Sequence, residues 1–333
     1  MRIVLSSGCF WTAIDAGELS LSFSSMRIFS IVDRRSLRNK AGTPVIQQQS
    51  SIGMMFNTDR MSGVLLKDFG KEIESIGIDT LWLPELFGRE PFATAAHLLS
   101  VTKRLRVGTG IENIYARDAT AAAAGAHTLS EFSSGRFILG LGVSNSGLVR
   151  ARGHDWEPPV EKLADYVQAV RSAELSILQD HALEIHVAAH GPKMLRTLSG
   201  LVDGVSTFLQ TPTHTAETRK LIGPSVSLNV TQMCLLMDDP TEARRLARRA
   251  LAFYIGLDYY HRAWRNLGFQ EDDFKGGGSD RLIDALVAWG DPETISLRLK
   301  EHLDVGATEM VVIPLNPAGG AEPHLQLLEA LTK

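Results

Sequence analysis

The chain has little cysteine, no long apolar run and no basic tract, and each absence narrows the reading. Cysteine occurs twice in 333 residues, at Cys9 and Cys234. The pair is far apart and makes no metal or redox spacing, so a reducing cytoplasm is the plain expectation. No uninterrupted apolar run approaches the roughly 20 residues of a membrane span, and no membrane partner is expected. A secretory leader is not expected either, because Asp15 and Glu18 interrupt the early apolar stretch. The formal net charge is −4 and no run of Lys and Arg interleaves with aromatics. Nucleic acid is therefore not an expected partner. There is no internal repeat. A G-x-G-x-x-G turn is also missing: Gly140-Leu141-Gly142 lacks the third glycine, which counts against a doubly wound dinucleotide fold.

What is present suits a large buried core. The chain is 44% apolar and 22% charged, in the range of ordinary globular proteins. Residues 1–50 carry Ser clusters, Arg34-Arg35 and Gln47-Gln48-Gln49 without a clean helical or strand period. They read as an N-terminal extension outside the fold, or as an over-long translation start. Ser and Arg favour a transit peptide there, and the acids oppose it.

From Ser51 to the C-terminus apolar strands and amphipathic helices alternate. The strands are Ile52–Phe56, Thr80–Pro84, Arg106–Ile111, Phe137–Gly142, Ile185–Ala189, Gly204–Phe208, Val226–Met237 and Met310–Ile313. Helices are expected over Val64–Ile76, Pro91–Val101, Asp118–Phe132 and Pro159–Leu178. A helical insertion, Thr241–Asn266 and Ser279–Trp289 around Gly276-Gly277-Gly278, precedes the last strand. Eight buried strands with intervening helices make an α/β fold, a (β/α)8 TIM barrel, and about 250 residues suffice for one. Residues 51–333 are one such barrel in this reading.

Three ordered segments carry a family resemblance. Glu131-Phe132-Ser133-Ser134-Gly135-Arg136-Phe137-Ile138-Leu139-Gly140-Leu141-Gly142-Val143-Ser144 resembles the "L-S-x-G-R-x-x-L-G-x-G" signature of the luciferase-like monooxygenase superfamily. Gly77–Glu85 resembles that family's first-helix end and second strand, and Arg104–Ile111 its third strand. The stretches Glu85–Phe92 and Gly108–Asp118, with Gly276–Leu282 and Ala288–Asp291, look closest to the F420-dependent oxidoreductase branch. The resemblance implies a TIM barrel that holds a flavin or the deazaflavin coenzyme F420. It also implies a homodimer, which the small-residue run Ala121–Ala126 would suit, although a barrel-facing helix would look the same.

The resemblance also assigns candidate residues. Gly108, Thr109, Gly110 and Ile111 would line the cofactor, with Gly110-Ile111 as a non-prolyl cis peptide behind its ring; glycines relieving crowding in a barrel strand would read alike. Val143, Ser144, His190 and Gly191 would hold the cofactor phosphate. The residues support that independently, since Pro192 opens a helix whose free N–H groups favour an anion. Many relatives have glycine where His190 stands, so His190 either adds a cationic contact or crowds the loop. Glu85, Glu112, Asn113 and Asn145 are the polar candidates for catalysis, Glu85 having a rim pair with Arg89 as its bland alternative. Leu86 replaces a family histidine, and Asn145 replaces a titratable group, so neither position can exchange a proton. His181, His186 and His190 lack supporting carboxylates, and no metal is expected.

The function that follows is hydride transfer between F420 and a small-molecule substrate. The alternatives are an FMN-dependent monooxygenase served by a flavin reductase, and a barrel that binds flavin without turnover. Phe253-Tyr254, Tyr259-Tyr260, Trp264 and Trp289 would pack the insertion on the barrel or form a lid.

Overall fold

Strand closure is set at the ends of the described chain. A computed structural model describes residues 51–177 and 179–333; the expected extension over 1–50 lies outside them. The strands are β1 (Ser51–Met55), β2 (Thr80–Leu83), β3 (Arg106–Thr109), β4 (Glu112–Asn113), β5 (Phe137–Gly142), β6 (Glu184–Ala188), β7 (Gly204–Phe208), β8 (Ser227–Leu236), β9 (Val287–Gly290) and β10 (Glu309–Pro314). All pair in parallel. β10 joins β1 through Ser51↔Glu309 and Met54↔Val312, and joins β8 through Glu309↔Asn229 and Pro314↔Cys234. The sheet is thus a closed eight-strand TIM barrel, with β4 beside β5 and β9 beside β8 as additions.

Strand alternation separates two cores. Outward residues such as Leu81, Leu139, Val187 and Val230 pack beneath the helices. Inward, Trp82, Ile138 and Val311 fill the barrel with Met55 against them. The interior is crowded enough to require glycine on neighbouring strands. A Cβ at Gly108 would stand 2.7 Å from the Trp82 ring, and one at Gly204 2.3 Å from His186. Below Trp82 the interior is polar. Trp82 Nε1 donates to Glu309 Oε2 at 3.3 Å, His186 Nε2 lies 2.8 Å from Glu184 Oε1, and Asn229 Nδ2 lies 3.0 Å from His186 Nδ1. Arg106 pairs with Glu184.

The helices start and stop where local chemistry dictates. Ser62, Glu90 and Asp118 accept hydrogen bonds from N3 amides and open α1 (Gly63–Ile76), α2 (Pro91–Val101) and α3 (Ala119–Phe132). Gly77, at φ 99°, closes α1. Ala122, Ala123 and Ala126 are buried within the chain and serve barrel packing, while Ala121 is exposed. After β5 come α4 (Ser146–Ala151) and α5 (Pro159–Arg171), then α6 (Pro192–Leu198) and α7 (Pro212–Ile222). α5 ends earlier than its sequence period suggests. Arg171 ties its last turn to Leu201 O and Asp203, and Ala173 and Leu175 turn back against the core.

The insertion holds α8 (Pro240–Ile255), α9 (Asp258–Asn266), a 3-10 turn (Glu271–Gly277) and α10 (Asp280–Leu286). The expected helix over Ser279–Trp289 stops at Leu286. Val287–Gly290 instead extends the sheet as β9, pairing Met233↔Val287 through Leu236↔Gly290; a β-branched and aromatic run fits a strand better than a helix end. α11 (Pro292–Asp304) and α12 (Leu325–Leu331) complete the outer layer. No helix among the described residues is long and apolar enough to cross a membrane.

Candidate functional site

The carboxyl ends of the parallel strands form one rim, the face where this architecture places ligands. One wall of that rim is the segment Gly110–Asn113 between β3 and β5. Gly110 N donates to Leu83 O at 2.7 Å, Glu85 N to Ile111 O at 3.3 Å, and Ile114 N to Gly142 O at 3.1 Å. The segment is therefore held by β2 on one side and β5 on the other. The Gly110–Ile111 peptide bond is cis, the isomer that the family resemblance implies. A Cβ at Gly142 would stand 2.7 Å from the Ile111 side chain, so glycine there leaves room for Ile111.

Gly108 and Thr109 lie beneath this wall. Gly108 is covered by Trp82. Thr109 is fully buried; its hydroxyl donates to Gly140 O at 2.7 Å and accepts from Gly140 N at 2.9 Å. Both serve strand packing, and neither offers a free polar atom to a ligand.

The two candidate carboxylates, Glu85 and Glu112, both face Arg117. Glu85 does not pair with Arg89, whose guanidinium reaches Met61 O instead. Both Glu85 oxygens accept from Arg117 Nη1 at 3.0 Å, and Oε2 also accepts from Asn113 N at 2.9 Å. Glu112 is fully buried and stands 3.4 Å from Arg117 Nη1. Its neighbour in register on β5 is Leu141, a residue of the layer under the helices, so Glu112 belongs to the helix side of the sheet. Among the described residues neither Glu112 oxygen has a hydrogen-bond partner. Burial, with Glu85 and Glu90 nearby and Arg117 opposing, pushes its pKa up to about 7. Burial alone would lower Arg117, but Glu85, Glu112 and Glu90 outweigh it and hold the guanidinium above its usual value.

The amides are also engaged. Asn113 Oδ1 accepts from Tyr115 N at 3.1 Å, and Asn145 Oδ1 caps α4 by accepting from Leu148 N at 3.0 Å. Arg117, Gln210 and His214 were not legible as site residues. Glu85 and Arg117 are 32 positions apart, and no periodicity links them; the only signal for Arg117 was its place beside the Asp118 helix cap.

The adjoining side of the rim, which shares β5 with that wall, is built from the exits of β5 and β6. Their register, Gly140↔His186 and Leu141↔Val187, brings these exits side by side. The chain leaves β5 through Val143 and Ser144, the latter at φ 59°. It leaves β6 through His190 and Gly191, the N-cap of α6. His190 Nδ1 lies 3.3 Å from Gln210 Nε2, and its carbonyl accepts from His214 Nε2 at 3.0 Å. Burial, with His214 adding to it, pushes the His190 pKa down to about 3. His190 is thus neutral at ordinary pH and makes no cationic contact in the free protein. Gln210 is almost wholly buried, and its Oε1 has no partner among the described residues.

Aromatics of the insertion pack onto this side. Phe208 meets Tyr254 edge-on at 5.0 Å, Tyr260 stacks on Trp264 at 5.2 Å, and Trp264 Nε1 donates to Leu209 O at 2.9 Å. Trp289 instead bonds Asp284 inside the insertion. His186 is held between Glu184 and Asn229 inside the barrel and does not join His190.

Comparison with known proteins agrees with this architecture. A protein of Methanolobus tindarius, 5,10-methylenetetrahydromethanopterin reductase, is 27% identical over 293 residues, covering 75% of this chain and 90% of that protein. The coenzyme F420-dependent tetrahydromethanopterin reductase of Methanopyrus kandleri has a similar structure, with a TM-score of 0.68 at 18% identity over 85% of this chain and 97% of that one. The oxygenating constituent of 3,6-diketocamphane monooxygenase from Pseudomonas putida, solved with FMN, has a TM-score of 0.62 at 15% identity over 85% and 97%. A family profile described as luciferase-like monooxygenase matches residues 57–309. By that match the chain belongs to the luciferase-like monooxygenase family.

Proposed function

We propose that the protein is an F420-dependent oxidoreductase that moves a hydride between bound deazaflavin and a small organic substrate at the rim of the barrel. The observation that carries this reading is the pairing of the β5 and β6 exits. Two neighbouring strands end there in small residues and a helix start, an arrangement that offers main-chain N–H groups to a phosphate. Gln210, with an unpartnered buried oxygen beside His190, gives this side a polar atom in want of a partner. Val143, Ser144, His190 and Gly191 would hold the phosphate, and Gly110–Ile111 would back the ring. The deazaflavin supplies the hydride chemistry when bound; the chain supplies position, electrostatics and exclusion of water.

The protein's own acid–base resources at the rim are few. Glu85, Glu112, Asn113 and Asn145 support the walls, and a neutral His190 can donate or accept one hydrogen bond. A substrate proton then travels through water or through His190. Titration of the purified protein with F420 and with FMN tests the proposal. Tight F420 binding is expected; tight FMN binding with none for F420 would transfer the reading to an FMN-dependent monooxygenase, which the FMN-bound neighbour favours and which requires a flavin reductase as partner. Cofactor binding without reduction by any donor would favour a non-catalytic flavin carrier. A homodimer belongs to the same proposal, and light scattering on the eluting protein checks it.

A further inference from the structure

The Glu85–Arg117–Glu112 group is built more elaborately than helix packing requires. Arg117 lies in the loop before α3 and receives three carboxylates: Glu85 from the β2 exit, Glu90 from the cap of α2, and Glu112 from β4. Its guanidinium also stands over the Phe92 ring at 4.8 Å. The next charged or titratable neighbours are Tyr166 of α5, whose hydroxyl donates to Arg117 O, and Asp118. Glu85 grips the rim wall by hydrogen bonds, through Asn113 N and, by its own N–H, Ile111 O, while Glu112 is itself a residue of that wall. A guanidinium outside the barrel is therefore linked to the wall facing the mouth by two carboxylates, one bonded to the wall and one within it.

The geometry points to Arg117 as a positioning residue for the cofactor ring: it fixes Glu85, Glu85 fixes the Ile111–Asn113 wall, and Glu112 competes with Glu85 for the same guanidinium according to whether it carries a proton. This rests on the cofactor reading above. With Glu112 protonated, Arg117 stands between the two ionised acids Glu85 and Glu90. With Glu112 ionised, a third negative charge draws on Arg117, and the hold on Glu85 slackens. The competition operates near neutral pH, since burial pushes the Glu112 pKa up to about 7. Arg117 also lines an open cavity of about 690 Å³, together with Tyr115, His154, Glu157 and Lys162. Ring affinity should therefore fall as pH rises through neutrality.

The test uses the full chain and three variants, Arg117→Met, Arg117→Lys and Glu112→Gln, titrated with F420 by fluorescence from pH 6 to pH 8. Arg117→Met should weaken binding at least about tenfold and shift the absorption band of the bound cofactor. Arg117→Lys should recover part of the loss, because an ammonium keeps the charge without the two-pronged grip. Glu112→Gln should bind as wild type does at pH 6 and lose less affinity by pH 8. The ratio of the two dissociation constants cancels the cofactor's own titration. Cooperative melting of each variant separates loss of the wall from loss of the fold. If Arg117→Met does not fold, the other two variants decide. Folded variants with wild-type affinity and band position, or Glu112→Gln tracking wild type at every pH, overturn the inference alone. Wild type that binds neither F420 nor FMN overturns the cofactor reading and removes the ground for this one.

Discussion

Glu309→Gln should stabilise the protein at alkaline pH and leave acid stability nearly unchanged. Glu309 sits inside the barrel against Trp82, and a Cβ on Gly53 would come within 2.6 Å of its Oε1, so the space admits an isostere and little else. Burial drives its pKa from 4.5 to about 7, against the lowering effect of Thr80, Trp82 and Arg106. The folded state thus retains the proton that the unfolded chain releases first. The associated stability is fully present below the unfolded value of 4.5 and is lost as pH rises through about 7. The full loss is about 3 kcal/mol at about 1.4 kcal/mol for each pKa unit. Glutamine mimics the protonated acid and still offers an oxygen to Trp82 Nε1. Urea unfolding of both proteins at pH 5 and pH 8.5 measures the effect. The stability gap should widen in favour of Glu309→Gln by about 2–3 kcal/mol between those pH values. Glu112 titrates in both proteins and drops out of the comparison. A gap that stays constant with pH would refute the argument that the barrel interior holds this carboxyl in its neutral form.

Two further outcomes concern stability. Arg136 donates to Leu99 O, Leu105 O, Ser133 O and Thr102 Oγ1, so Arg136→Ala should cost about 2–4 kcal/mol by stranding buried acceptors, and Arg136→Lys should recover part of it in denaturant melts. Trp264→Ala removes a fully buried side chain and its bond to Leu209 O; a loss of about 3–5 kcal/mol, with early proteolysis inside Pro240–Leu286, would show that Trp264 anchors the insertion.

Much of the framework was legible before any coordinate. Alternating apolar runs and helix stop signals report burial directly, so the eight barrel strands and the spans of the first three helices could be read locally. The Gly135-Arg136 pair of the signature was legible as a marker only. Its meaning, an arginine tying four groups of neighbouring segments, depends on long-range geometry. The same limit hid Arg117: carboxylates from β2, α2 and β4 meet it only after the sheet has formed. Glu85 and Glu112 look alike as acids at strand exits, yet one grips the wall and the other lies sealed under the helices. The side of the sheet on which Glu112 falls depends on the break after Thr109, which shortens β3 and re-registers Glu112 and Asn113 on β5. β9 escaped for a related reason: its pairing partner is the far end of β8, and a four-residue run carries too little period to announce itself.

The order of closure has a consequence for synthesis. The strand that seals the ring is the last to leave the ribosome, and it docks between β1 and β8 at once. Until Pro314 has emerged, the seven other strands of the ring wait with two open edges, and the apolar faces meant for the interior stand uncovered. Long-range pairing of this kind folds slowly and exposes sticky edges meanwhile. Premature termination anywhere before β10 should therefore yield an aggregating chain rather than a smaller working barrel.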